Sequence, residues 1–221
     1  RELRLNGVRT SEELEKITNH PVTGQIPRAK FRRRKDLIDF LVSKPNSPFA
    51  EAIRNLRTSI LLTNVDKPPQ VMMLTSSVPG EGKTTIALSL SHNLAGLGKE
   101  VLLIEADIRR RTFDQYFETK DQSTLVDSVM SSDGPEIKLS DTDSMPGVDM
   151  VFGGKASIHA ADFFSSERFK TFISPAREQY DYIVIDTPPV LVVPDARILA
   201  HHAEAIDSCV HWCQPPKPQP H

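Results

Sequence analysis

Thr75–Gly98 reads TSSVPGEGKTTIALSLSHNLAGLG. It closes the apolar run Val71-Met72-Met73-Leu74, passes through Pro79-Gly80-Glu81-Gly82-Lys83-Thr84-Thr85, and becomes a helical pattern from about Lys83 to Leu97 that Gly98 closes. Successive backbone N–H groups in a glycine-rich turn point inward and form an anion nest. The helix that follows aims its positive N-terminus at the same point. Lys83 adds a full charge, and Thr84 adds a hydroxyl of the kind that ligates Mg²⁺. Gly80 and Gly82 let backbone approach oxygen atoms with no Cβ in the way. The anion such a turn suits is a nucleoside triphosphate. The strict spacing Gly-x4-Gly-Lys-Ser/Thr asks for glycine where this chain has Ser77, but Pro79, Gly80 and Gly82 still shape the turn.

Outward from the turn, two more apolar runs end in acids. Val101–Ile104 runs into Glu105 and Asp107, and Tyr182–Ile185 runs into Asp186. Parallel strands bring their C-terminal ends to one edge, where ligands bind in such sheets. Lys83, Glu105, Asp107 and Asp186 are therefore expected to converge. Acids beside a magnesium triphosphate hold the metal or take a proton from a nucleophile; taken singly, each is equally a strand-end cap. Helical patterns fill the gaps. One spans about Ser47–Leu62, with Ala50, Ile53, Leu56, Ile60 and Leu61 on one face; others lie near Thr10–Glu13, across Phe163–Tyr180 and after Val193. Pro175 is expected to bend or restart the third of these. The stretch Asp121–Gly154 reads as helical at first and then loop-like. Continuous apolar strands alternating with helices predict an α/β fold, a doubly wound and mainly parallel sheet covered on both faces.

A chain of 221 residues suffices for one such domain with its own core. The expected division is a linker over 1–46 with a short helix and a basic run, a nucleotide-binding domain over 47–204, and an irregular proline-rich tail over 205–221. A net charge of −2 argues against nucleic acid as a partner. The two cysteines, Cys209 and Cys213, give no disulfide framework and fit a reducing compartment. With His211, His201 and His202 they form a loose cluster in that tail rather than a paired metal motif. No apolar run reaches the ~18 residues of a membrane span. The chain opens without Met and mid-stream, which reads as a piece of a longer polypeptide. Arg28–Lys35, RAKFRRRK, is either a solvated basic loop or a cytoplasmic segment touching anionic lipid through Arg32, Arg33, Arg34 and Lys35.

These elements together resemble the catalytic domain of the bacterial tyrosine autokinases of capsule and exopolysaccharide export. SSVPGEGKTT looks like their first nucleotide loop, VLLIEADIRRR like their second acidic motif, and YIVIDTPPV like their Walker B strand. Upstream, EAIRNLRTSI matches the family's Glu-x2-Arg-x2-Arg pattern at Glu51, Arg54 and Arg57, and PVTGQIP looks like the segment after the second transmembrane helix of the fused form. The resemblance runs from about residue 10 to residue 204. It implies a P-loop NTPase type of sheet and a Mg²⁺-ATP-dependent kinase that phosphorylates tyrosines on a neighbouring copy. It further implies a ring-shaped homo-oligomer docked through Glu51, Arg54 and Arg57, and a parent anchored at the cytoplasmic face of the bacterial inner membrane with a polysaccharide co-polymerase part. By position, Pro79 to Thr85 bind ATP, with Lys83 on phosphate. Thr84, Asp107 and Asp186 serve the metal, and Lys83, Glu105 and Asp107 act in catalysis. Glu51, Arg54 and Arg57 also share a helix stripe that could simply pair internally.

Two departures stand out. The acidic motif ordinarily begins with Asp, and residue 105 is Glu; a further methylene moves the carboxylate by over ~1 Å, where Mg²⁺ tolerates little error. The C-terminal part reads as truncated: AEAIDSC begins a strand that Asp207-Ser208 is expected to interrupt before Pro215, Pro216, Pro218 and Pro220. The only tyrosines are Tyr116, Tyr180 and Tyr182, so the family's tyrosine-rich tail is missing. Two other readings fit the fold: an ATP-switch ATPase of the partitioning or division-positioning type, and a catalytically weak regulatory remnant. The first of these ordinarily carries an extra lysine where this chain has Val78.

Overall fold

A computed structural model describes residues 10–118, 123–139, 145–154 and 159–210. Five strands, β1 (Val71–Ser76), β2 (Val101–Glu105), β3 (Val148–Val151), β4 (Tyr182–Asp186) and β5 (Ala205–Cys209), form one sheet in the order β3-β2-β4-β1-β5. Every pairing is parallel. Side chains alternate across the pleat, and the strands are apolar on both sides. Met72, Leu74, Leu103 and Val184 enter one core, whereas Val71, Met73, Leu102, Ile104, Ile183 and Ile185 enter the other.

The first core is roofed by α2 (Leu37–Ser43), α3 (Pro48–Leu61) and α4 (Lys83–Ala95). In α3, Ala50, Ile53, Leu56 and Ile60 are buried as the periodicity predicts. Its start follows from capping: Ser47 Oγ accepts the Ala50 N–H, and Pro48 occupies the first turn, where no N–H is needed. The second core is roofed by α5 (Leu125–Val129), α6 (Ala160–Ser165), α7 (Glu167–Gln179) and α8 (Asp195–Leu199). The remaining helix, α1 (Ser11–Thr18), has Thr10 as its cap and buries no residue.

Three sequence expectations change. The stretch expected to turn loop-like contains β3, whose four residues are too short for an alternation to stand out. Of the bend or restart expected at Pro175, the restart does not occur: α7 runs through it, and the break falls at Ser166, whose hydroxyl accepts the Phe169 N–H. Pro175 and Thr171 both lie on the exposed side, so the carbonyl that Pro175 leaves without a donor can meet water. Asp207 and Ser208 do not interrupt a strand: β5 continues to Cys209 in register with β1, so 205–209 belong to the sheet rather than to the tail. Ser208 lies on the exposed face of this edge strand, and Asp207 on the half-buried face has a hydrogen bond with Thr23. Within the 1–46 segment, Leu37, Phe40 and Leu41 are buried against α3 and α4, and Ile26, Ala29 and Phe31 pack on that core. His211, Cys213 and the tail prolines lie outside the described residues. Among the described residues no helix is long and apolar enough to cross a membrane.

Candidate active site

The connection leaving β1 runs toward β2, and the connection leaving β4 runs toward β5, so neighbouring strands β4 and β1 send their chains in opposite directions. The crevice at their C-terminal ends is where open α/β sheets take ligands. The turn Ser77–Gly82 leaves β1 at that point. Gly80 and Gly82 have φ of 88° and 95°, values that side chains strongly disfavour, so glycine is required here by conformation. Glu81 Oε2 accepts the Val78 N–H at 2.9 Å and braces the turn across itself. Gly82 caps α4 and brings no side-chain acceptor to it, which leaves the helix N-terminus to an external anion.

Three of the four predicted charged residues converge. Lys83 Nζ lies 3.4 Å from Asp186 Oδ1 and 3.9 Å from Asp107 Oδ2, with Thr84 Oγ1 at 3.4 Å. Asp186 is fully buried, and that burial pushes its carboxyl above the ordinary range while Lys83 and Thr84 pull it back. Its Oδ2 has no hydrogen-bond partner. An orphaned buried carboxylate oxygen beside a threonine hydroxyl and a second carboxylate is a hard-oxygen set suited to Mg²⁺. Among the described residues no three His, Cys, Asp or Glu side chains converge on one metal position. Two carboxylates and a hydroxyl fit a metal whose other ligands are phosphate oxygens and water.

Glu105 is the exception. It was expected to face the metal or an incoming hydroxyl, but both its oxygens are engaged by backbone: Oε1 accepts the Phe113 N–H at 2.8 Å and Oε2 the Gly153 N–H at 2.9 Å. Burial pushes this carboxyl up to about 8, and the two amides act against that shift. A Cβ on residue 153 would come within 3.1 Å of the Glu105 carbonyl oxygen and 3.3 Å of Oε2, so glycine makes room for the longer acid. Glu105 thus ties the end of β2 to the loop after Asp107 and to the chain leaving β3.

A latch invisible in the sequence closes the other side. Arg109 donates through Nε and Nη2 to the two oxygens of Asp195, at 3.1 and 3.3 Å, and Asp195 is 1% exposed. This bidentate pair joins the loop after β2 to the start of α8. The only sequence signal for Asp195 was an acid just after Pro194 at a helix start. Cys209 ends β5 opposite Ser76, beside the nucleotide turn. Burial pushes its thiol up to about 12, and the neighbouring Asp186 and Asp207 push the same way. At pH 8 it is expected to alkylate at least tenfold more slowly in the folded chain than in the denatured one, by peptide-mapping mass spectrometry.

The residues expected at a subunit interface are paired within the chain. Arg54 bonds Glu51 and donates to the Pro45 carbonyl at 2.7 Å, and Arg57 donates to Asn93 Oδ1 at 2.7 Å. Three of the six cations of the basic run are engaged: Arg33 pairs with Asp36, Arg34 donates to Gln115, and Lys35 pairs with Glu118.

An all-parallel doubly wound sheet with a glycine turn opening a helix at its switch point defines a nucleotide-binding domain of the P-loop class. A family model described as AAA domain matches residues 69–206, more than half of the chain. The tyrosine-protein kinase YwqD of Bacillus subtilis is 33% identical over 163 residues, covering 74% of this chain and 68% of that protein. The tyrosine-protein kinase ptk of Acinetobacter johnsonii is 28% identical over 212 residues, covering 91% of this chain but only 28% of that protein. The kinase domain of Escherichia coli tyrosine kinase ETK superposes with a TM-score of 0.80 at 26% identity, covering 92% of this chain and 82% of that one. The chain belongs to the bacterial tyrosine-protein kinases, within the AAA-domain proteins. A ParA family ATPase from Chlorobium tepidum matches at a TM-score of 0.51 and 20% identity over 63% of this chain, a likeness of fold alone.

Proposed function

We propose that this chain is the Mg²⁺-ATP-dependent catalytic domain of a protein tyrosine kinase that phosphorylates a neighbouring copy of its parent and regulates exopolysaccharide or capsule export at the cytoplasmic face of the bacterial inner membrane. The observation that carries the reading is Lys83 standing between two strand-end carboxylates at the mouth of an uncapped helix. Phosphoryl transfer needs positioning and charge neutralisation more than covalent chemistry. The α4 N-terminus and the 80–85 turn would cradle the phosphates, and Lys83 would leave Asp186 for the terminal phosphate oxygens. Thr84 and Asp186 would hold Mg²⁺, with Asp107 serving it through water, and the metal neutralises charge on the β- and γ-phosphates when bound. With Glu105 occupied by backbone amides, Asp107 is left to take the proton of the tyrosine hydroxyl as the oxygen attacks the γ-phosphorus and the ADP oxygen leaves. Oligomerisation through Glu51, Arg54 and Arg57 would exchange their internal partners for equivalents on the next copy.

The test combines this chain, Mg²⁺, labelled ATP and a separate tyrosine-rich peptide, beside Lys83→Met. Label on peptide tyrosine, lost in the variant, is the expected result. ATP hydrolysis without label on tyrosine would favour a nucleotide switch, and binding with neither would favour a regulatory remnant.

A further inference from the structure

Thr85 follows the metal-facing threonine, and its hydroxyl is paired with a side chain from another element. Thr85 Oγ1 and Tyr116 Oη are 2.7 Å apart. Tyr116 follows the short 3-10 turn Thr112–Gln115 and is buried. Burial pushes its phenol above the ordinary value, against the opposing effects of Thr85 and Arg34, and either hydroxyl can donate across the 2.7 Å contact. Arg34 completes the stack. Its guanidinium carbon sits 5.8 Å from the centre of the Tyr116 ring, and its Nη1 donates to Gln115 Oε1 at 2.6 Å. Lys35 adds a weaker, exposed ion pair to Glu118 at 3.3 Å.

We propose that Tyr116 is a positioning residue for the nucleotide: it fixes Thr85 in the first turn of α4, and Arg34 holds Tyr116 in place. The segment before the domain is thereby part of the nucleotide site. A helical threonine divides between two rotamers because its hydroxyl can turn back to a carbonyl of the preceding turn. For Thr85 that carbonyl lies in the phosphate-binding turn itself. The 2.7 Å contact with Tyr116 gives the Thr85 hydroxyl a partner outside that turn. The Arg34 cation over the ring face and its bond to Gln115 make rotation of the tyrosine costly.

The proposal rests on the nucleotide-binding part of the proposed function, and its test keeps the two apart. Binding of ATP carrying a fluorescent ribose label is measured, without and with Mg²⁺, for the parent chain, Tyr116→Phe, Thr85→Ala, the double variant and Arg34→Met. Thermal melts accompany each. Tyr116→Phe keeps the ring and the cation contact and removes one hydrogen bond. Its dissociation constant is expected to rise about fivefold with little change in melting temperature. Arg34→Met is expected to raise it about twofold. In the Thr85→Ala background, neither change should weaken binding further. Equal affinity of Tyr116→Phe and parent would overturn the proposal, and so would an undiminished loss on top of Thr85→Ala. Should Tyr116→Phe fail to fold, Arg34→Met with and without Thr85→Ala decides by the same criteria. A parent chain that takes up no probe sinks the nucleotide reading and the proposal together.

Discussion

Lys83→Met is expected to lower the melting temperature by about 4–8 °C as well as to abolish phosphoryl transfer, and the stability loss is expected to grow with pH. The ammonium stands 3.4 Å from a carboxylate that is fully buried and has a second oxygen with no partner. Removing one member of a buried pair costs ~3–5 kcal/mol when the other charge stays. Asp186 can instead take up a proton, so about 2 kcal/mol is expected, worth ~2–4 °C per kcal/mol in a chain of this size. The sign follows from burial, which raises the folded carboxyl above its unfolded value. Such a group binds more protons folded than unfolded, so its contribution is full below the unfolded value and is lost as pH rises through the folded one. Methionine removes the cation that opposes the shift and widens that window upward. Melts at pH 5 and pH 8 should show a smaller deficit at the lower pH. The double variant Lys83→Met/Asp186→Asn should recover much of the loss at pH 8. A variant melting with the parent at both values would show that the pair contributes nothing to stability.

Glu105→Ala is expected to cost about 3 kcal/mol, a fall of roughly 6–12 °C, because it strands two buried N–H groups that each cost ~1–3 kcal/mol when unmade. Those groups, on Phe113 and Gly153, belong to separate pieces of chain, and Glu105 bridges both from the end of β2. Glu105→Gln keeps one carbonyl oxygen but turns an amide NH₂ toward the other N–H, so an intermediate loss is expected. Glu105→Asp, one methylene shorter, is expected to keep at most one of the two bonds. It should therefore melt below the parent, although it restores the acid the family ordinarily carries. The ordering Glu, then Gln or Asp, then Ala in thermal melts is the check, and an alanine variant within 2 °C of the parent would dismiss the bridge.

The two variants separate what a pattern reveals from what it hides. Lys83, Asp107 and Asp186 were legible because backbone rules place them. A glycine turn after one strand, and acids at the ends of two others, must meet once the strands are parallel. Glu105 obeys the same rule for its backbone, yet its side chain serves other amides. Which acceptor a buried carboxylate takes depends on the N–H groups folding brings near it, and those of Phe113 and Gly153 lie 8 and 48 residues away. Glu51, Arg54 and Arg57 show the converse: their stripe on α3 was legible, but their partners Pro45 and Asn93 come from a turn and from α4. β3 and the end of β5 escaped because short edge strands carry weak alternation, and neighbouring strands decide whether they pair.

From one end of the chain to the other, local chemistry settled the class of fold, the nucleotide turn and the direction in which each strand presents its acid. These depend on φ preferences, on apolar runs and on the polarity of helices, all properties of neighbouring residues. The tertiary structure alone decided the Glu105 bridge, the Arg109–Asp195 latch, the packing of the linker's Leu37, Phe40 and Leu41 on α3 and α4, and the line from Arg34 through Tyr116 to Thr85. Each joins residues far apart in sequence. A side chain is committed by the donors, acceptors and apolar surface that surround it, and only folding assembles those.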